Sequence, residues 1–155
     1  MQNNPKNLNE LLAMHKQHVD EQKKATKQED QELIERRKEF LNHFKRLISS
    51  TIRPKMRDLS KQIQEYNHLM ETPQEDHDRR ISHPHISFSF KLYGNQRNTV
   101  VISFIGNFDH EKILIQTEYN TITQIKSSND EYDIDLITGE FIENLLFVSF
   151  GKILK

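Results

Sequence analysis

Residues 83–106, HPHISFSFKLYGNQRNTVVISFIG, decide the fold. Ile86, Phe88, Phe90 and Leu92 alternate with His85, Ser87, Ser89 and Lys91, the period of two expected of a strand with one buried face. GNQRN at 94–98 turns the chain, after which Val100, Ile102 and Phe104 line one face and Val101, Ser103 and Ile105 the other. Turns this short join antiparallel neighbours. GNFDHE at 106–111 predicts a second turn, and a third strand runs from Lys112 to about Tyr119, continuing or restarting through Ile125. SSNDE at 127–131 predicts another turn, and Tyr132, Ile134 and Leu136 then alternate with Asp133 and Asp135 in a last strand. Thr138 caps a closing helix, with Glu140 in its first turn, where a carboxylate favours the helix dipole. Phe141, Ile142, Leu145, Leu146, Val148, Phe150, Ile153 and Leu154 make that helix apolar almost all round, which predicts burial on more than one side, against the apolar face of the sheet. Val101, Ile105 and Leu114 leave the other face partly apolar, for the N-terminal helices or a second subunit to cover.

Upstream of residue 83 the chain has a different character. Residues 1–82 contain no glycine and 30 charged side chains, whereas 83–155 hold all four glycines and ten of the thirteen Phe and Tyr residues. Helical patterning starts near Pro5, and Leu8, Leu11, Leu12, His15 and Val19 make a short stripe. The stripe fades through EQKKATKQED at 21–30, a solvated helix or a hinge. A second stripe, Leu33, Arg37, Phe40, Phe44 and Leu47, is offset at SSTIRP (49–54) and resumes as Ile52, Met56, Leu59, Ile63, Tyr66 and Met70. Its steps of three and four approach the 3.5-residue seam of a helix that packs along its length. Pro54 cannot donate to the Ser50 carbonyl, so a kink or a junction of two helices is predicted there, with Ser49, Ser50 and Thr51 capping a restart or rescuing freed carbonyls.

The expected fold is α+β. A long, kinked, coiled-coil-like helical region (1–70) is followed by a linker (71–84) and a small antiparallel meander of four or five strands closed by a C-terminal helix (85–155). An apolar fraction of 34% suits a modest core with a large solvated helical surface. A sheet domain of about 70 residues is near the lower limit of independent stability, so the helices or a second copy of the chain should help cover it.

Charge is nearly balanced, with 22 basic against 23 acidic residues, but it is unevenly spread. Residues 36–61 hold nine basic side chains against Glu39 and Asp58. Lys38, Lys45, Arg53, Arg57 and Lys61 fall roughly along one helical face, suited to phosphates, an acidic partner or an anionic surface. The plain alternative is a solvated face, or one neutralised by acids at 71–78 and 130–135. No aromatic residues interleave for base stacking.

His77, Asp78, His83 and His85 could supply imidazole and carboxylate to zinc or nickel, but they flank a linker and no HExxH or Cys/His framework exists. Asp133 and Asp135, with Asp130 nearby, share a strand face and could hold a divalent metal, with Lys126 the nearest lysine. The plain reading is the polar face of an edge strand. The chain has no cysteine, which excludes disulfides and thiolate catalysis, and it has neither a phosphate-binding glycine loop nor a GxSxG elbow. No apolar run approaches the roughly 20 residues that span a bilayer, and MQNNPKNLNELLAMHK lacks the apolar stretch of a secretory signal, so a cytoplasmic location is expected. No motif assigns the chain to a family.

The expectation is therefore a non-enzymatic interaction or assembly module without a cofactor. It would self-associate, as a homodimer, or dock a protein partner through Phe40, Phe44, Leu47, Met56, Leu59 and Ile63. The alternative is a nucleic-acid-associated accessory protein using the basic stripe, and a third class is a small metal-dependent enzyme.

Overall fold

The computed structural model describes residues 4–76, 83–94 and 98–154. They form two compact units, Met1–Lys38 and Glu39–Lys155, and the α+β class holds.

In the first unit the long polar sequence is helix. Helix α1 (Leu8–Leu47) begins three residues after Pro5 because Asn7 caps it. The Asn7 Oδ1 accepts from the Glu10 amide at 2.9 Å, and the Glu10 carboxylate accepts from the Lys6 amide at 2.7 Å. This reciprocal pairing satisfies donors that the first turn leaves open. The stretch 21–30 is solvated helix. Links one turn apart, such as Gln17 to Glu21 and the Thr26 hydroxyl to the Gln22 carbonyl, support it.

The second unit takes in the last turns of α1, from Glu39 onward. Residues Ile48–Ile52 form one π-helical stretch, and α2 follows (Arg53–Gln64). The π turn explains the offset in the apolar stripe. From Leu47 to Ile52 is a step of five, which a π turn accommodates and an α turn does not. Pro54 withholds the donor that would close an α turn on Ser50. The hydroxyls of Ser49 and Ser50 donate to the Arg46 carbonyl at 3.2 and 2.5 Å, rescuing an acceptor as the serines there suggested.

The helical stripe stops short of its expected end at Met70. Asn67 takes a left-handed conformation (φ 67°), and the His68 amide closes onto the Ile63 carbonyl at 3.2 Å. Tyr66 is left exposed. Strand β1 (Leu69–Met70) instead pairs with Lys91 and Phe90. The stretch read as linker also holds β2 (Gln74–Asp76), paired with Ser87, Ile86 and His85. Backbone pairing, which needs no apolar pattern, places these two short strands.

The meander is β3 (His85–Lys91), β4 (Thr99–Asn107), β5 (Lys112–Asn120) and β6 (Ile125–Tyr132), antiparallel throughout, in the order β1-β3-β4-β5-β6 with β2 also on β3. The last strand differs from expectation. The chain reverses at Thr121–Gln124, where the Thr121 hydroxyl and the Gln124 backbone bond each other, so SSNDE lies within β6. Ile134–Leu136 form a short 3-10 turn, and α3 (Gly139–Gly151) follows, with the Thr138 hydroxyl accepting from the Phe141 amide at 3.2 Å. Such a cap is worth about 1 kcal/mol.

One face of the sheet builds the core. Ile86, Phe88, Phe90, Val100, Ile102, Phe104, Ile113 and Ile115 meet Phe40, Phe44, Leu47, Ile48, Ile52, Met56 and Leu59 from the α1–α2 segment and Ile142, Leu146 and Phe150 from α3. This is a two-layer solution, with helices gathered on one face of an antiparallel sheet. Gly106 of β4 makes it possible. A Cβ there would stand 3.3 Å from the rings of both Phe40 and Phe44. On the opposite face Val101, Ile105 and Leu114 stay outside this cluster, half-buried.

Candidate functional site

The six seam residues lie together, but not on a surface. Phe44 and Met56 are fully buried, Phe40, Leu47 and Leu59 nearly so, and Ile63 packs on their rim. The physical reason is local: the apolar face of the sheet offers the same seam a partner within the chain, at no cost in association entropy. Association through these side chains would require the core to open.

The basic residues divide. Arg53 pairs with Glu75, and the Lys55 ammonium lies 3.1 Å from the Glu143 carboxylate. Lys45, Arg57 and Lys61 are exposed and have no ion-pair partner among the described residues, and Lys38, in the first unit, is exposed as well. Acids from β2 and α3 thus neutralise part of the stripe.

Asp133 and Asp135, expected on one strand face, do not share one. Asp133 precedes the 3-10 turn, 3.9 Å from Lys112, and Asp135 lies within it, 3.9 Å from His43. His77 and Asp78 lie outside the described residues. The His83 Nδ1 accepts from the Phe108 amide at 3.5 Å, with its ring against that of Phe108, and the His85 Nδ1 lies 3.2 Å from the His83 carbonyl. Among the described residues, no group of three or more His, Asp or Glu side chains stands close enough to hold a metal ion. No described helix is long and apolar enough to cross a membrane.

The structure exposes surfaces that the sequence pattern concealed. α3 is not buried on several sides. Ile142, Leu146, Ser149 and Phe150 face inward, while Phe147 is 77% and Val148 46% exposed. Phe147 borders an apolar groove of about 380 Å³ between α2 and α3, lined also by Leu59, Ile63, Leu146, Phe150 and Leu154. The all-round apolar pattern of α3 is the signal that could have pointed there. A second surface is β6, the sheet's outer strand, six of whose eight residues are exposed. Its polar composition gives no sign of a strand.

One polar cluster joins β6 to the β4–β5 turn. The His110 Nδ1 lies 2.9 and 3.0 Å from the two Glu131 oxygens, and the Asn107 amide donates to Glu131 at 3.1 Å. The His110 hydrogen bond, helped by the imidazole's charge, Asn107 and Lys112, outweighs partial desolvation and holds the Glu131 carboxyl below its ordinary range. A carboxyl lowered on folding contributes stability above its unfolded pKa and loses it as pH falls through the folded value. Glu131→Gln is therefore expected to melt below the parent protein at about pH 6 and to match it at about pH 2. Thermal melts across pH check this, and a gap that ignores pH would refute it.

No family model matches the chain, and no match is found among curated proteins or solved structures.

Proposed function

We propose that this chain is a non-enzymatic interaction module that docks a protein partner, or a second copy of itself, along its N-terminal helix. The supporting observation is the exposure of Leu8, Leu11 and Leu12, at 67%, 51% and 55%. Their spacing of three and four places them on one helical face, the pattern by which a helix enters a partner's groove. Met14, Leu33 and Ile34 of the same unit are also exposed. Helices in water draw most of their stability from packing an apolar face, and this one leaves Leu8, Leu11 and Leu12 unpacked. The docking surface is thus drawn from the first leucine stripe rather than from the seam at 40–63, which the core occupies.

The test compares the parent protein with Leu11→Asp/Leu12→Asp by light scattering during size-exclusion chromatography. A parent mass above 18.5 kDa should fall to the monomer value in the variant, with an unchanged thermal transition. If the parent is monomeric, both proteins go into pull-downs. Equal masses above the monomer value, or recovery of the same proteins by both, would overturn the reading. A second reading is favoured by Lys45, Arg57 and Lys61, which are exposed and have no ion-pair partner among the described residues. It requires nucleic-acid binding that falls steeply with salt and weakens when Arg57 and Lys61 are neutralised.

A further inference from the structure

We infer that β6 is a self-pairing edge, on which a second copy of the chain adds its own β6 antiparallel, in a register centred on Ser128. This inference rests on the assembly reading above and adds to it a second contact between the two copies, at the sheet edge.

The two edges of the sheet are treated differently. Along β3, short strands β1 and β2 occupy the outer side at both ends. β6 pairs with β5 over its whole length, from Ile125 opposite Asn120 to Tyr132 opposite Ile113, and only β5 pairs with it among the described residues. It contains no proline. An edge of eight residues presents a row of backbone donors and acceptors to any incoming strand. Folds usually blunt such an edge with charge, and β6 carries Lys126, Asp130 and Glu131. Glu131 is already engaged by His110. Lys126 and Asp130 have no ion-pair partner among the described residues.

Symmetry then selects the register. A two-fold axis between antiparallel strands passes through a pair of directly opposed residues, so one residue of β6 must face its own copy. With Ser128 at the axis, Lys126 faces Asp130 of the second copy and Ser127 faces Asn129, and the relation holds in both directions. Two Lys126–Asp130 pairs form, and each free charge is paired once. With Asn129 at the axis, Lys126 meets Tyr132 and no opposite charges face each other. With Asp130 or Glu131 there, like charges collide. The charges that would repel a foreign strand are therefore complementary to one partner, an identical strand. Lys126 and Asp130 lie on the helix-bearing face, beside Tyr119 and Ile115 of their own β5, so exchanging their charges disturbs no cross-strand ion pair within the chain. Pairing about this axis would also bring α3 of both copies to the same side of the joined sheet, with the exposed Val148 above the β6 rim.

The experiment measures dimer dissociation by light scattering and sedimentation equilibrium for the parent, Lys126→Glu, Asp130→Lys and the double exchange. Each single variant turns two attractions into two repulsions and is expected to weaken the dimer about tenfold or more. The double variant should recover the parent affinity to within about threefold. Thermal melts confirm that each variant folds. Leu11→Asp/Leu12→Asp separates this inference from the reading beneath it. Association lost there but retained in Lys126→Glu overturns the β6 edge and leaves the module intact. A single-variant loss that the double does not restore overturns the Ser128 register, and a parent that stays monomeric at the highest soluble concentration overturns self-association altogether.

Discussion

Phe44→Ala is expected to cost the second unit about 3–5 kcal/mol and to lower its melting temperature by more than 10 °C, roughly. Phe44 has no exposure to solvent, and its ring lies where α1 meets Gly106 of β4. Truncation removes a whole aromatic ring from a site walled by a sheet on one side, which cannot collapse to fill the gap. Domains of this size have about 5–15 kcal/mol in total, so a substantial unfolded population should appear on mild heating. Circular dichroism and denaturant titration read the effect directly. Phe147→Ala is the control: its ring is mostly in solvent, and the change should stay within about 0.5 kcal/mol. The comparison also decides between two roles for the apolar seam. Were Phe40, Phe44, Leu47, Met56 and Leu59 an association surface, Phe44→Ala would lower the mass and spare the fold. A Phe44→Ala protein that melts with the parent would refute their place in the core.

Gly106→Val should be the second most damaging change, at about 1–3 kcal/mol. An added Cβ stands 3.3 Å from the Phe40 Cε1 and from the Phe44 Cδ1 and Cγ, before the two valine methyl groups are counted. The helix must then lift from the strand, or both rings must leave their preferred rotamers. Gly106→Ala should cost less, because the rings need to yield by only a few tenths of an ångström. Combining Gly106→Ala with Phe40→Leu is expected to cost less than the sum of the two, since the smaller side chain vacates the space that the methyl group enters. Strict additivity in a double-mutant cycle would show that the two sites do not touch.

How much of this was legible beforehand depended on how each segment is buried. Strands β3 and β4 were readable because one face of each is buried, which writes a period of two into the sequence. The break in the helical stripe at 49–54 was readable as an irregularity, and its five-residue step is now accounted for by one π turn. The middle of β6 reads as a turn because Ser127, Ser128, Asn129 and Asp130 favour turns. An outer strand with both faces near solvent carries no apolar alternation, and its pairing with β5 is made by backbone groups that every residue possesses. β1 and β2 were hidden for the same reason. The true reversal at Thr121–Gln124 depends on a threonine hydroxyl bonding the backbone, a contact with little compositional signal.

By itself, the sequence determined the kinds of element and their order: a long polar helix interrupted before Pro54, an antiparallel meander, and a capped closing helix. These follow from periodicity, from the missing donor of proline and from the Thr138 cap, all local physics. Only the tertiary structure decided which surfaces are spent and which remain. A seam of apolar residues every three or four positions states that a helix buries one face, but not against what. Its own sheet and a second chain offer the same apolar contact, and periodicity is blind to the difference. Because the sheet lies in the same chain, the seam at 40–63 went into the core, and Leu8, Leu11 and Leu12, the outer face of α3 and the β6 edge were left open to solvent.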